Sequence, residues 1–216
     1  MRKSTVALIV TLIILSFLSG IWLLVLPSLD RQKMVDEQEN LIAVIEESID
    51  NSVSEPDPIT MSENIRYTEL EQEKEPVPIG AKLGILTIPK LDMKLPVVEG
   101  ITEELIKTSV GHVPETAVIG DIGNAVIAGH RNYTYGSMFN RLGEIEIGDR
   151  IEYTLADGES CLFEVFEITE IEPADQIAFI QPTNESIITL YTCTPIREAT
   201  HRLLVRAEKI YEEECI

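Results

Sequence analysis

A chain of 216 residues, 44% of them hydrophobic, suits one core-forming domain with accessory segments. Its formal charge of −20 excludes a nucleic-acid partner, because a phosphate backbone demands a basic face. Three cysteines are too few, and odd in number, for a disulfide framework.

The first element is "TVALIVTLIILSFLSGIWLLVLP", residues 5–27, a run of 23 residues without a charge. As a helix it reaches about 34 Å, enough to cross a hydrocarbon core of about 30 Å. Trp22 near its far end suits a membrane interface. No small-x-small cleavage site and no lipid-accepting cysteine follows, so the run is predicted to be an uncleaved transmembrane signal anchor. Arg2 and Lys3 are matched beyond it by Arg31 and Lys33, and the short, wholly basic flank tips the N-terminus inside. That makes residues 1–4 a cytoplasmic tail of a single-pass cell-membrane protein, with everything after the anchor extracellular.

Residues 28–79 are acidic. From Met34 to Ile79 there are 13 Asp and Glu against Arg66 and Lys74, a net of −11 and more than half of the whole excess. Apolar positions Met34, Leu41, Val44, Ile45 and Ile49 predict a short amphipathic helix over 30–50. The Pro-rich remainder, 51–79, predicts a linker or a segment lying over the folded domain as a lid.

At about residue 80 the pattern changes to short strands: "KLGILTIP", "KLPVVEG", "NAVIAGH", "DRIEYTL", "CLFEVFEITEIE", "SIITLYTC" and "HRLLVRAEKI". Asp157-Gly158 marks a turn, "GHVPET" reads as a turn-like Gly/Pro setting, and short helices fit 102–109, capped by Thr102, and 136–143. Many short strands with few helices predict an all-β domain over 80–212, a closed barrel or a sandwich.

Cys161 falls in an apolar strand, as a small core residue would, and Cys215 is penultimate in the chain. Cys193 ends "SIITLYTC" and is the cysteine placed for chemistry. A thiolate is the attacking form of cysteine and needs a base or cation beside it. A leaving amine needs a proton, which a histidine supplies, and an oxyanion needs a fixed donor, which an arginine supplies. His130 ends "NAVIAGH", His112 sits in "GHVPET" and His201 lies next to a strand start. Arg197, Arg202 and Arg206 all follow Cys193 closely. Arg206 lies four residues beyond Arg202, so strand parity alone does not separate those two.

"TLYTCTPIREATHRLLVRA" resembles the signature of sortases, and "GNAVIAGHR" resembles their histidine motif about 60 residues upstream. "GHVPETAVIGDIGN" is similar to the segment leading into that motif, and "GILTIPKLDMKLPVVEG" to the opening strands, so the likeness covers roughly 80–210. The resemblance implies an eight-stranded β-barrel with Cys193 as nucleophile, His130 as acid/base and Arg202 stabilising substrate and oxyanion. It implies a cysteine transpeptidase that cleaves a Leu-Pro-x-Thr-Gly-like (LPXTG-like) sorting signal through a thioacyl intermediate. Its partners would be surface proteins or pilins of Gram-positive bacteria, and a cell-wall precursor or pilin lysine amine. The Thr-Cys-Thr-Pro wording is shared with the pilus-building class C, while the single anchor and "GHVPET" fit class D equally. Asp57-Pro58-Ile59 stands where a class C lid motif lies, with Ile59 in place of an aromatic. Other readings are a cysteine endopeptidase of the same fold and a non-catalytic surface binding module. No cofactor is implied, and no metal is assigned to Glu170, Glu172 and Asp175.

Overall fold

The computed structural model describes residues 2–53, 76–131, 138–173 and 183–211, without the side chains of 2–7 and 23–27. The Asp57–Ile59 lid motif, Cys215, Asp175 and the first two residues of the helix expected over 136–143 lie outside the described residues.

Helix α1 spans Arg2–Val53, so the helix expected over 30–50 is the distal part of a longer one. The transmembrane helix expected at residues 5–27 is not found: among the described residues no helix is long and apolar enough to cross a membrane. The distal part of α1 rests on the domain that follows. Ile45 is fully buried, Glu46 pairs with Lys94, and the Ser52 hydroxyl donates to the Asp157 carbonyl at 2.7 Å.

That domain is a closed eight-stranded barrel in the order β1-β2-β3-β4-β7-β8-β6-β5. Its strands are β1 (Lys82–Ile88), β2 (Met93–Glu99), β3 (Val110–His112), β4 (Gly123–Ala128), β5 (Arg150–Leu155), β6 (Ser160–Ile171), β7 (Ser186–Thr194) and β8 (His201–Ile210). Two pairings, β2 with β3 and β4 with β7, are parallel and the rest antiparallel. β4 sits in the middle of the barrel wall and is buried at all six positions, so its sequence reads as a continuous apolar run rather than an alternation. Gly84 lies at a register shift where β1 pairs with both β2 and β5. A Cβ there would lie 2.1 Å from the Thr154 carbonyl oxygen, so only glycine lets the two strands approach.

Two expectations are corrected. "GHVPET" is not all turn, because its Gly111 and His112 belong to the short strand β3. The helix expected over 102–109 is only a 3-10 turn, Leu105–Lys107, with the Leu105 N–H 3.5 Å from the Thr102 hydroxyl. A 3-10 segment kinked at Phe139, Met138–Glu144, buries Met138, Phe139 and Leu142. The core is made of Leu86, Ile88, Val97, Phe163, Ile188 and Val205 with their neighbours, all removed from solvent.

Candidate active site

The barrel wall brings three strand ends together. Cys193 is the penultimate residue of β7 and half-buried, and its partner across the antiparallel β7–β8 ladder is Arg202. Residues directly opposite project to one face with Cβ atoms about 5 Å apart. On the other side of β7, the parallel ladder pairs Ala128 with Tyr191. Carried two residues on, that register sets His130 level with Cys193. The main chain there is held firmly: the Gly129 N–H donates to the Tyr191 carbonyl at 3.1 Å and the Thr192 hydroxyl to the Gly129 carbonyl at 2.7 Å. The His130 carbonyl accepts the Phe139 N–H at 3.0 Å, and Arg131 Nη1 lies 3.4 Å from the Cys193 carbonyl.

Arg202 is fixed from two sides. Its Nε donates to the Tyr191 hydroxyl at 2.9 Å, and its Nη1 to the carbonyls of Ala199 and His201, each at 3.0 Å. Nη2 donates to no protein group among the described residues. Arg202 and Arg206 differ in position and partner. Arg206 lies opposite Thr189, about 13 Å along the strand from Arg202. Its Nη1 is bound to Glu167 at 2.6 Å and its guanidinium lies over the Phe166 ring, 5.1 Å from the centroid. Arg197 lies exposed in the connection between β7 and β8.

The other candidates fall elsewhere. His112 is buried, with Nδ1 2.7 Å from Glu99 Oε2. His201 opens β8 with Nδ1 2.9 Å from the Thr200 hydroxyl. Cys161 is buried in β6 as a free thiol. Glu170 Oε1 accepts the Thr194 hydroxyl at 3.2 Å. Tyr191 and Arg131 were missed as site residues. For Tyr191 a signal existed, since it stands two before Cys193 and so shares its face, half-buried like it.

A family model for the sortase domain matches residues 86–210, more than half of the chain and a span that includes His130, Cys193 and Arg202. The chain belongs to the sortase family. It is similar to sortase D of Bacillus subtilis, 31% identical over 61% of this chain and 65% of that protein. Among solved structures it is similar to sortase A from Corynebacterium diphtheriae, with 26% identity and a TM-score of 0.58 over 83% of this chain and 86% of that one. It is also similar to sortase C1 of Streptococcus agalactiae, with 31% identity and a TM-score of 0.55 over 61% and 69%. The chain spans less than two thirds of the length of the curated relatives it matches.

Proposed function

We propose that this sortase-family chain is a membrane-anchored cysteine transpeptidase of the Gram-positive cell surface. Residues 1–4 would be its cytoplasmic tail, 5–27 its anchor, 28–79 its juxtamembrane helix and linker, and 80–212 its extracellular catalytic domain. The observation that carries the reading is the pairing of Cys193 with Arg202 on β7–β8, with the His130 main chain tied alongside.

In this reading the Cys193 thiolate attacks the threonine carbonyl carbon of an LPXTG-like signal. The oxyanion so formed is met by Arg202, whose Nη2 donates to no protein group among the described residues while its other nitrogens are held by the protein. The C–N bond to the glycine breaks as His130 gives its proton to the leaving amine, and a thioacyl enzyme remains. An incoming amine, from a cell-wall precursor or a pilin lysine, loses a proton to His130 and attacks the thioester. An amide forms and the thiolate is released.

The test is mass spectrometry of the full chain in detergent, incubated with an LPXTG peptide library and a set of amines, beside Cys193→Ala. A ligated product that vanishes in the variant is expected. Cleavage to free acid alone overturns transpeptidation in favour of a peptidase, and no turnover by either protein overturns the catalytic reading. For the anchor, the full chain should stay with membranes after alkaline carbonate extraction, and release into the soluble fraction refutes it.

A further inference from the structure

Where β4 leaves the barrel wall, its ladder with β7 stops short. The Gly129 N–H donates to the Tyr191 carbonyl at 3.1 Å. Donors in a parallel ladder recur at every second residue, so the next in this row is the Arg131 N–H and its acceptor the Cys193 carbonyl. The chain turns away before that bond is made, with the His130 carbonyl accepting the Phe139 N–H. The Arg131 side chain comes to the Cys193 carbonyl in its place, with Nη1 3.4 Å away. A guanidinium thus stands where a peptide N–H would continue the row, and it joins the residue after His130 to the main chain of the cysteine.

The position is kept against an opposing effect. Arg131 Nε is buried without an acceptor among the described residues, which a half-buried arginine could escape by swinging into water. The chain also makes room for the side chain. In the 3-10 segment Met138–Glu144, a Cβ on Gly143 would lie 2.5 Å from Arg131 Nη2 and 3.6 Å from Cζ. Gly143 does not have a positive φ, so its backbone suits any residue, and what the glycine supplies is a seat for the guanidinium.

We propose that Arg131 is a positioning residue of the Cys193 site. Its guanidinium replaces the missing ladder donor and holds the Cys193 main chain level with His130, and Gly143 is left bare to seat it. That role rests on Cys193 being the nucleophile and His130 the acid/base of the proposed reaction. The two must stay in register through the reaction, and a displacement of about 1 Å between them costs up to about 10²-fold in rate.

The test compares Arg131→Met, Arg131→Lys and Gly143→Ala with wild type and Cys193→Ala, each as the full chain in detergent. Ligation of an LPXTG peptide to an amine gives kcat and KM, calorimetry gives Tm, and mass spectrometry gives amide exchange over residues 190–194. Arg131→Met keeps the stem and loses the donors: kcat should fall about tenfold, the value of one hydrogen bond, with KM within about twofold. Its Tm should move by less than about 3 °C, and exchange at 190–194 should quicken about threefold or more. Arg131→Lys keeps a cationic donor and should regain kcat to within about threefold of wild type. Gly143→Ala displaces the guanidinium without straining the backbone: kcat should fall about threefold or more while Tm does not fall, because alanine suits a helical turn better than glycine. In the Arg131→Met background it should add less than about twofold. Wild-type kcat in Arg131→Met or Gly143→Ala, a loss carried by KM, Arg131→Lys as slow as Arg131→Met, or unchanged exchange at 190–194 would each overturn the proposal. A wild type that makes no more product than Cys193→Ala refutes the transpeptidase reading instead, and exchange at 190–194 then decides the Arg131 tie by itself.

Discussion

Arg202 and Arg206 stand four residues apart on one strand face, and exchanging them as truncation targets tests the active-site reading most directly. Arg202→Ala removes the guanidinium opposite Cys193. If that group meets the oxyanion, its loss costs about 10²–10³-fold in kcat, or about 3–4 kcal/mol of transition-state stabilisation. Its effect on folding is smaller. The three bonds it makes, to Tyr191, Ala199 and His201, sit at a half-exposed strand end where water replaces them, so Tm should move by only about 2–3 °C. Arg206→Ala should do the reverse. It loses an ion pair to a partner that is 41% exposed, together with a ring contact to Phe166, and each contributes up to about 1 kcal/mol. Arg206 Nε is buried without an acceptor among the described residues, and its removal offsets part of that loss. The net is about 1 kcal/mol, a Tm fall of about 3–5 °C, with kcat within about twofold of wild type. Peptide ligation followed by chromatography and mass spectrometry reads the first quantity, and scanning calorimetry reads the second. The assignment is refuted if Arg206→Ala loses more activity than Arg202→Ala.

Three further variants probe the same framework. In Gly129→Ala the new Cβ would lie 2.6 Å from Phe139 Cδ2 and 2.9 Å from Val110 Cγ1, both side chains fully buried, so calorimetry should find a loss of about 1–3 kcal/mol. The displaced backbone adjoins His130, so steady-state kinetics should also show kcat reduced by about 10²-fold; a fully active variant would mean that His130 is not held as described. Tyr191→Phe frees Arg202 Nε while keeping the ring, and should lower kcat about three- to tenfold at unchanged Tm, with Arg202→Ala in the same background adding less than it does alone. Burial raises the Tyr153 hydroxyl well above its ordinary range, and the group donates to the Leu83 carbonyl at 2.8 Å. Its neutral form is thus favoured by the fold, a stabilisation fully present below the unfolded tyrosine range near pH 10 and lost as pH rises above it. Urea unfolding should find Tyr153→Phe about 1 kcal/mol less stable at pH 7, with that gap closing above about pH 10.

Much of the barrel was legible because its strands are dense in β-branched and aromatic residues between turn signals. All seven apolar runs became strands, and the twelve-residue β6 shows the expected alternation over its first half. β3 was not legible. It has three residues, one of them glycine, and it is a strand only because β2 pairs with it in parallel on one side and β4 antiparallel on the other. No local pattern encodes partners that are distant in sequence. The same limit applied to choosing between Arg202 and Arg206, since period-2 geometry puts both on one face. It took the register of β7 against β8, and Glu167 on β6, to separate them.

The site depends on that unread connectivity. A barrel of hairpins alone would set the end of β7 beside turns of its own neighbours. Instead β4 and β7 run parallel, so the chain leaving β4 emerges beside Cys193 rather than turning back toward it. His130 follows β4 by two residues and Cys193 is the penultimate residue of β7, so parallel pairing brings two chain exits, remote in sequence, to one level. β8 then re-enters antiparallel after only six residues, 195–200, and returns Arg202 to the position opposite Cys193. Backbone pairing thus brings the main chain of His130, Cys193 and Arg202 to one level of the barrel wall. Such an arrangement suits transition-state electrostatics, which require donors held in place before charge develops.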